Sequence, residues 1–190
     1  MRAAVATLLV FGALSASARA DTHGSRWLKE RGSVEWMIGA GAWRTAFSID
    51  SRVPGFDSVM GGGELTIGLE FYAGLGVIAS GRFLGGQRSH ADASDGGRYL
   101  EGMGSLGLQL RVSETVRLRA GAAAGQALTP SENATLVGGF IGASFDLFAL
   151  GGGRLSMALS VRLDADALLG TQKILPDQTM GLSLGIGIRY

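Results

Sequence analysis

Apolar residues alternate with small or polar residues along much of this chain, and the last eleven residues show the pattern without a break. In an extended strand, alternate side chains point to opposite faces. One face of this terminal segment carries Met180, Leu182, Leu184, Ile186, Ile188 and Tyr190. The other face carries Gly181, Ser183, Gly185, Gly187 and Arg189. An alternation of about ten residues matches a tilted strand that crosses a membrane, with one face toward lipid and the other toward a lumen.

Seven upstream segments repeat this alternation. Their predicted outward faces run over residues 34–42, 65–71, 77–83, 100–112, 116–122, 137–147 and 155–163. The connections near residues 73–75, 113–115 and 149–153 are short, whereas those near 46–60, 87–97, 128–135 and 167–178 are longer. Short periplasmic turns that alternate with longer external loops are typical of outer-membrane barrels. The sequence therefore predicts an all-β fold, an eight-stranded antiparallel up-and-down transmembrane β-barrel with both termini in the periplasm.

The end of the predicted first strand does not fit a regular alternation. Trp43 would point inward if the strand from Val34 to Ala42 continued without a break. Large aromatic residues favour the lipid side of a small barrel. We therefore expect either a β-bulge near Ala42 or a loop position for Trp43.

The N-terminus has the parts of a secretory signal peptide. Met1 and Arg2 form a basic start, residues 3–14 are apolar, and residues 18–20 form an A-x-A cleavage site. The apolar run is too short for a transmembrane helix. We expect a cleaved signal peptide over residues 1–20, a periplasmic segment over residues 21–33 and the outer-membrane barrel over residues 34–190.

Composition excludes several classes of protein. The chain has no cysteine, so a lipid anchor, a disulfide, a thiolate nucleophile and a zinc–cysteine site are all excluded. It is 46% hydrophobic, yet no apolar run after the leader is long enough for a membrane helix. Removal of Arg2 and Arg19 with the leader leaves 15 basic residues against 16 acidic ones. Without a basic patch, we expect no nucleic-acid partner.

With its repeated strands and its terminal aromatic residue, the chain resembles the small bacterial outer-membrane barrels of the OmpA transmembrane domain, OmpX and OmpW type. The resemblance implies that Tyr190 is an assembly signal read by the barrel-assembly machinery. It also implies a monomer in the outer membrane of a Gram-negative bacterium, surrounded by lipid and lipopolysaccharide. The aromatic residues expected to anchor the barrel at the membrane interfaces are Trp36, Phe71, Phe83 and Phe145.

A soluble, lipocalin-like barrel is an alternative, because alternation alone does not say which face is inside. Small residues on the polar face suit a narrow lumen. The continuous face of Leu, Ile, Val and Phe is too large for the interior of eight strands. Both observations favour the transmembrane barrel.

Charged residues on the inward face form two predicted layers. The periplasmic layer contains Glu35, Glu70, Arg111, Arg117, Arg119, Asp146, Arg154 and Arg189. The outer layer contains Glu64, Arg82, Glu101, Arg162, Asp164 and Asp166. Because an unpaired buried charge is costly, opposite signs at matched depth predict ion pairs that fill the lumen.

Specific pairs follow from the order of the strands. We expect Arg82 to neutralise Glu64 and Glu101. We expect Asp146 to lie between the arginines of the fifth and seventh strands, and closure of the barrel to bring Arg189 beside Glu35. The many inward glycines predict space for water between the two layers.

No motif predicts a catalytic, cofactor or metal site. Residues 102–107 spell G-x-G-x-x-G inside a strand, with no helix to hold a pyrophosphate. Ser89, His90 and Asp92 share one loop, but residues this close in sequence rarely reach triad geometry. Asp92 and Asp95 lack the spacing of an EF-hand.

We therefore expect a non-enzymatic barrel without a cofactor, with a structural or surface-interaction role through its external loops. The alternative is a narrow channel for small or hydrophobic solutes. A surface enzyme such as a lipid A hydrolase is a third hypothesis.

Overall fold

The computed structural model describes residues 34–49, 56–71, 74–89, 97–150, 155–170 and 175–190, and it describes side chains from Ala42 onward. The predicted leader, the periplasmic segment and residues His90, Asp92 and Asp95 lie outside this part. Eight strands form the fold: β1 (Val34–Ser48), β2 (Asp57–Glu70), β3 (Leu75–Arg88), β4 (Arg98–Arg111), β5 (Val116–Leu128), β6 (Asn133–Leu150), β7 (Leu155–Leu169) and β8 (Gln178–Arg189). Each strand pairs antiparallel with the next, and β8 pairs with β1, so the predicted closed barrel is confirmed.

The two faces of the wall have opposite character. On the outer face, Leu106 is 71% exposed and Phe83 is 62% exposed, and exposed Leu, Ile, Val and Phe side chains surround them. The inner face buries polar side chains such as Thr66, Gln109 and Ser144. An apolar outside around a polar inside is the arrangement of a barrel in lipid and the reverse of a soluble barrel. Within the described ranges, no helix has the length and apolar character needed to cross a membrane.

A β-bulge interrupts β1 and confirms the irregularity that Trp43 indicated. Gly39 pairs with Glu64 and Ala42 pairs with Gly62, so β1 contains one residue more than β2 over this stretch. The extra residue reverses the alternation beyond it. Trp43 therefore lies on the outer face, 41% exposed, and Arg44 points into the lumen. The prediction that Ala42 faces lipid is wrong, since the bulge turns Ala42 inward, where it is buried.

A second bulge lies near the other end of the barrel, in β6. Asp146 pairs with Ala158, whereas Phe148 pairs with the adjacent Met157. Leu147 and Phe148 are consequently both exposed. The outward prediction for Leu147 is confirmed, and Phe148 adds an aromatic ring to the outer face at this end.

Two further predictions about β5 need correction. Val116 is predicted to face lipid, but it is buried. Its backbone oxygen accepts hydrogen bonds from the turn after β4. The link from β5 to β6 is shorter than predicted, because Leu128 already pairs with Asn133 and residues 129–132 form a tight turn. Longer connections remain after β1, β3 and β7, and all three lie at the same end of the barrel.

Candidate functional site

The outer half of the lumen contains a buried cluster of ion pairs centred on Arg44. Its Nη1 donates to both carboxylate oxygens of Glu101 from β4, and its Nη2 donates to Oδ2 of Asp166 from β7 at 2.7 Å. Its Nε lies 3.7 Å from Oδ2 of Asp164. The Arg44 side chain is 1% exposed, so this guanidinium joins β1, β4 and β7 across the interior.

Arg44 was not among the residues that the sequence predicted for the lumen. A regular first strand places Arg44 outside, and only the bulge in β1 turns it inward. The signal in the sequence was Trp43, because its outward position forces the next residue inward. The outer half of the lumen therefore contains Arg44 in addition to the predicted residues, and it also contains the buried Arg88.

Arg82 and Arg162 complete the outer cluster around Asp164. Arg82 donates through Nη1 to Ser183 at 2.8 Å and through Nη2 to Asp164 at 3.4 Å. Arg162 donates through Nε to Asp164 at 2.6 Å, and its guanidinium stacks over Phe140 at 3.9 Å from the ring centre. Asp164 thus accepts from two arginines and lies near Arg44 as a third.

The predicted pairing of Arg82 with Glu101 is wrong. Register places Arg82 opposite Met103 and Glu101 opposite Leu84, so the two side chains lie at different depths. Arg44 takes the place of Arg82 at Glu101. Glu64 is the register partner of Arg82 and accepts a hydrogen bond from Thr66 at 3.2 Å.

Two inward glycines make room for the Arg44 cluster. A Cβ atom on Gly181 would lie 2.7 Å from both Nε and Nη2 of Arg44. A Cβ atom on Gly138 would lie 2.2 Å from Oδ1 of Asp166. The space at these two glycines is therefore filled by charged side chains rather than by the predicted water.

The arginines of the periplasmic layer pair with neighbouring polar side chains. Arg111 donates through Nε to Glu70 at 2.8 Å, and Arg119 donates through Nε to Gln109 at 3.0 Å. Asp146 accepts from Arg117 of β5 at 2.7 Å.

Arg189 of β8 also donates to Asp146, at 2.5 Å, and to Ser144 at 2.7 Å. Asp146 thus pairs with arginines of the fifth and eighth strands. The sequence predicted that it pairs with arginines of the fifth and seventh strands. The side chains of Arg154 and Glu35 lie outside the described part, so their predicted pairs stay predictions.

An apolar plug closes the lumen beyond the Arg44 cluster. Its members are Phe56, Met60, Leu84, Tyr99, Leu136, Leu168, Leu175 and Pro176, all nearly inaccessible to solvent. Phe56 and Tyr99 pack edge to face with ring centres 6.1 Å apart. The sequence already indicated that part of this plug faces the lumen. A residue two positions from a charged lumen residue shares its face of the strand, and this is the position of Leu84, Tyr99 and Leu168.

The middle of the lumen contains a small cavity. Its volume is about 20 Å³, and the residues around it include Thr66, Ser80, Arg119 and Ser160. A cavity of about 10–15 Å³ holds one water molecule. The cavity between the two charge layers therefore has room for about one molecule of the predicted water.

The predicted interfacial aromatic residues are placed as follows. Phe71, Phe83 and Tyr190 are exposed on the outer face, and Phe145 is partly buried. The side chain of Trp36 lies outside the described part. Trp43 and Phe47 add exposed aromatic rings to β1, and the sequence did not predict them as anchors.

The loop residues that suggested catalysis are only partly described. The Ser89 hydroxyl donates to the backbone oxygen of Asp57 at 3.3 Å and accepts from its backbone nitrogen at 2.9 Å. This hydroxyl therefore caps the start of β2. In the part of the chain that the structure describes, no group of three or more His, Cys, Asp or Glu residues is placed to hold a metal ion.

Comparison with solved structures agrees with this architecture. Ail, the attachment invasion locus protein of Yersinia pestis, aligns over 85% of this chain and 100% of its own, with a TM-score of 0.52 and 18% identity. Neisserial surface protein A aligns over 84% of this chain and 98% of its own, with a TM-score of 0.53 and 12% identity. This is the fold of the small outer-membrane β-barrels. Compared with family models and with curated proteins, the sequence of this outer-membrane barrel matches none.

Proposed function

We propose that this protein is a non-conducting, non-enzymatic barrel of the bacterial outer membrane that acts at the cell surface through its external loops. The observation that carries the proposal is the closed lumen. An apolar plug, the Arg44 cluster and the periplasmic ion pairs follow one another along the axis. Each of them fills space that a solute would have to cross.

The energetic argument against a channel rests on the Arg44 cluster. A solute that passed this level would displace Arg44 from Glu101 and Asp166, and would leave those carboxylates buried without their cation. Breaking a buried ion pair in this way costs about 3–5 kcal/mol. The plug beyond it presents mainly apolar side chains, which compensate a hydrated solute poorly for lost water.

The surface role is supported by the arrangement of the connections. The three longer connections follow β1, β3 and β7, so they lie together at one end of the barrel. In outer-membrane barrels this end is external. One structural neighbour is described as an attachment invasion locus protein and another as a surface protein, which supports the same kind of role here.

The remaining partners follow from the location. We propose that the barrel is exported with its leader, inserted by the barrel-assembly machinery with Tyr190 as the signal, and surrounded as a monomer by lipid and lipopolysaccharide. The exposed aromatic rings of Phe71, Phe83 and Tyr190 would lie at the membrane interfaces.

Planar-bilayer conductance tests the closed lumen. Wild-type protein refolded in detergent should give no sustained, large single-channel currents, whereas a 16-stranded porin prepared in parallel should conduct. Sustained wild-type currents would establish the channel alternative instead.

A second experiment tests the external loops. Residues 90–96 would be replaced by a Gly-Ser linker of equal length, and the cells would be compared with wild-type and deletion strains for surface attachment and detergent resistance. The loop variant should behave like the deletion strain while its barrel keeps the heat-dependent gel shift. Wild-type behaviour of both the loop variant and the deletion strain would contradict the surface role.

A further inference from the structure

The small cavity in the middle of the lumen is lined by hydrogen-bond donors that have no acceptor. Arg82 and Arg162 both line it, and both are more than nine-tenths buried. Nε of Arg82 and Nη2 of Arg162 have no hydrogen-bond partner among the described residues. A buried N–H group without a partner is unfavourable, and such a group is usually satisfied by a bound water or ion.

The other contacts of these two arginines hold them in place. Arg162 is fixed by Asp164, by Ser105 at 3.3 Å and by the face of Phe140. Arg82 is fixed by Ser183 and Asp164. Neither guanidinium can turn its unpartnered nitrogen toward a protein acceptor without losing bonds that it already makes. The donors are therefore positioned before any ligand binds.

The charges around the cavity favour an anion over a neutral molecule. Arg82, Arg119 and Arg162 line it, and Glu64 is the one carboxylate that lines it within the described part of the chain. Glu64 already accepts from Thr66. Asp164 does not line the cavity and is shared between Arg82 and Arg162. The lining thus carries three positive charges against one negative charge, and against two negative charges when Asp164 is counted.

We propose that the cavity binds a single small inorganic anion, of the size and chemistry of chloride. The volume of about 20 Å³ is suited to one small ion such as a monatomic halide. Nη2 of Arg162 and Nε of Arg82 donate to the anion, and Ser80 of β3 and Ser160 of β7 line the cavity from opposite sides of the barrel. The anion completes the filling of the lumen between the two charge layers.

Halide-dependent stability tests this site. Because the cavity lies inside the lumen, the protein should be refolded separately in sodium chloride, sodium bromide and sodium gluconate at equal ionic strength. Unfolding by urea in detergent then gives the equilibrium constant in each salt. A ligand that binds only the folded state lowers this constant by about tenfold at ten times its dissociation constant. We expect this decrease in chloride and bromide relative to gluconate.

A matched pair of variants separates the site from a general salt effect. Arg162→Gln removes the guanidinium and its positive charge, and its stability should become equal in chloride and gluconate. Arg111→Gln also removes one lumen arginine, but Arg111 pairs with Glu70 away from the cavity, so the halide effect should persist. An equal halide effect in wild type and Arg162→Gln would overturn the proposal.

Diffraction decides the question even if Arg162→Gln fails to fold. Wild-type crystals grown in bromide should show an anomalous peak within hydrogen-bond distance of Arg162 Nη2. A cavity that holds only a water molecule in bromide-grown crystals, with identical wild-type stability in all three salts, would refute an anion site.

Discussion

Replacement of Arg44 by methionine tests how the lumen is stabilised. Methionine retains an unbranched side chain but removes the guanidinium that binds Glu101 and Asp166. Asp164 keeps Arg82 and Arg162, so two of the three carboxylates lose their cation. Removal of one partner from a buried ion pair costs about 3–5 kcal/mol. Since the Arg44 side chain is 1% exposed, water does not screen this loss, and we expect the free energy of unfolding to fall by about 3–5 kcal/mol.

The assay is reversible urea unfolding of the refolded barrel in detergent, followed by tryptophan fluorescence. Arg98→Met is the control, because Arg98 is exposed at the start of β4 and the same chemical change should alter stability by less than about 0.5 kcal/mol. Arg82→Ala should cost less than Arg44→Met, since Asp164 would retain Arg162 and Arg44.

A double-mutant cycle with Glu101→Gln isolates the pair. If Arg44 and Glu101 neutralise each other, the double variant should be more stable than the sum of the two single losses predicts. Additive losses, or an Arg44→Met protein as stable as the Arg98→Met control, would show that the buried cluster does not hold the barrel together in the way the contacts indicate.

Two further predictions concern packing and assembly. Gly181→Val places side-chain atoms where Arg44 lies and should destabilise the barrel by about 1–3 kcal/mol in the same urea assay, whereas Gly81→Ala, with nothing within 4 Å of the added Cβ, should leave stability unchanged. Tyr190→Asp should leave export and leader cleavage intact but prevent folding into the outer membrane, so the heat-dependent gel shift should disappear; a heat-modifiable, protease-resistant variant at wild-type levels would contradict the assembly signal.

The sequence alone was sufficient for the architecture of the wall. Alternation is a local property, because each side chain faces opposite to its neighbour whatever the rest of the chain does. Eight strands, their antiparallel closure and the lipid face of Leu65, Leu106 and Ile186 could all be read from it. Most charged residues of the inner face could be named for the same reason.

Alternation fails where a bulge adds a residue. The bulge in β1 reverses the two faces beyond Gly39, so Arg44 enters the lumen and Trp43 leaves it. Trp43 indicated an irregularity, but the sequence could not say whether Trp43 lay in a bulge or in a loop. Because of that one extra residue, the sequence did not predict Arg44 as the central cation of the outer cluster.

Only the tertiary structure decided which charges meet. Arg82 and Glu101 lie on neighbouring strands, yet their registers separate them, and Arg44 reaches Glu101 from a strand that is not adjacent. Contacts across a lumen depend on the register of every strand pair and on the closure between β1 and β8. The alternation of a single strand carries no information about either. The sequence therefore determined which residues line the lumen where the strands are regular, while the closed barrel determined their partners.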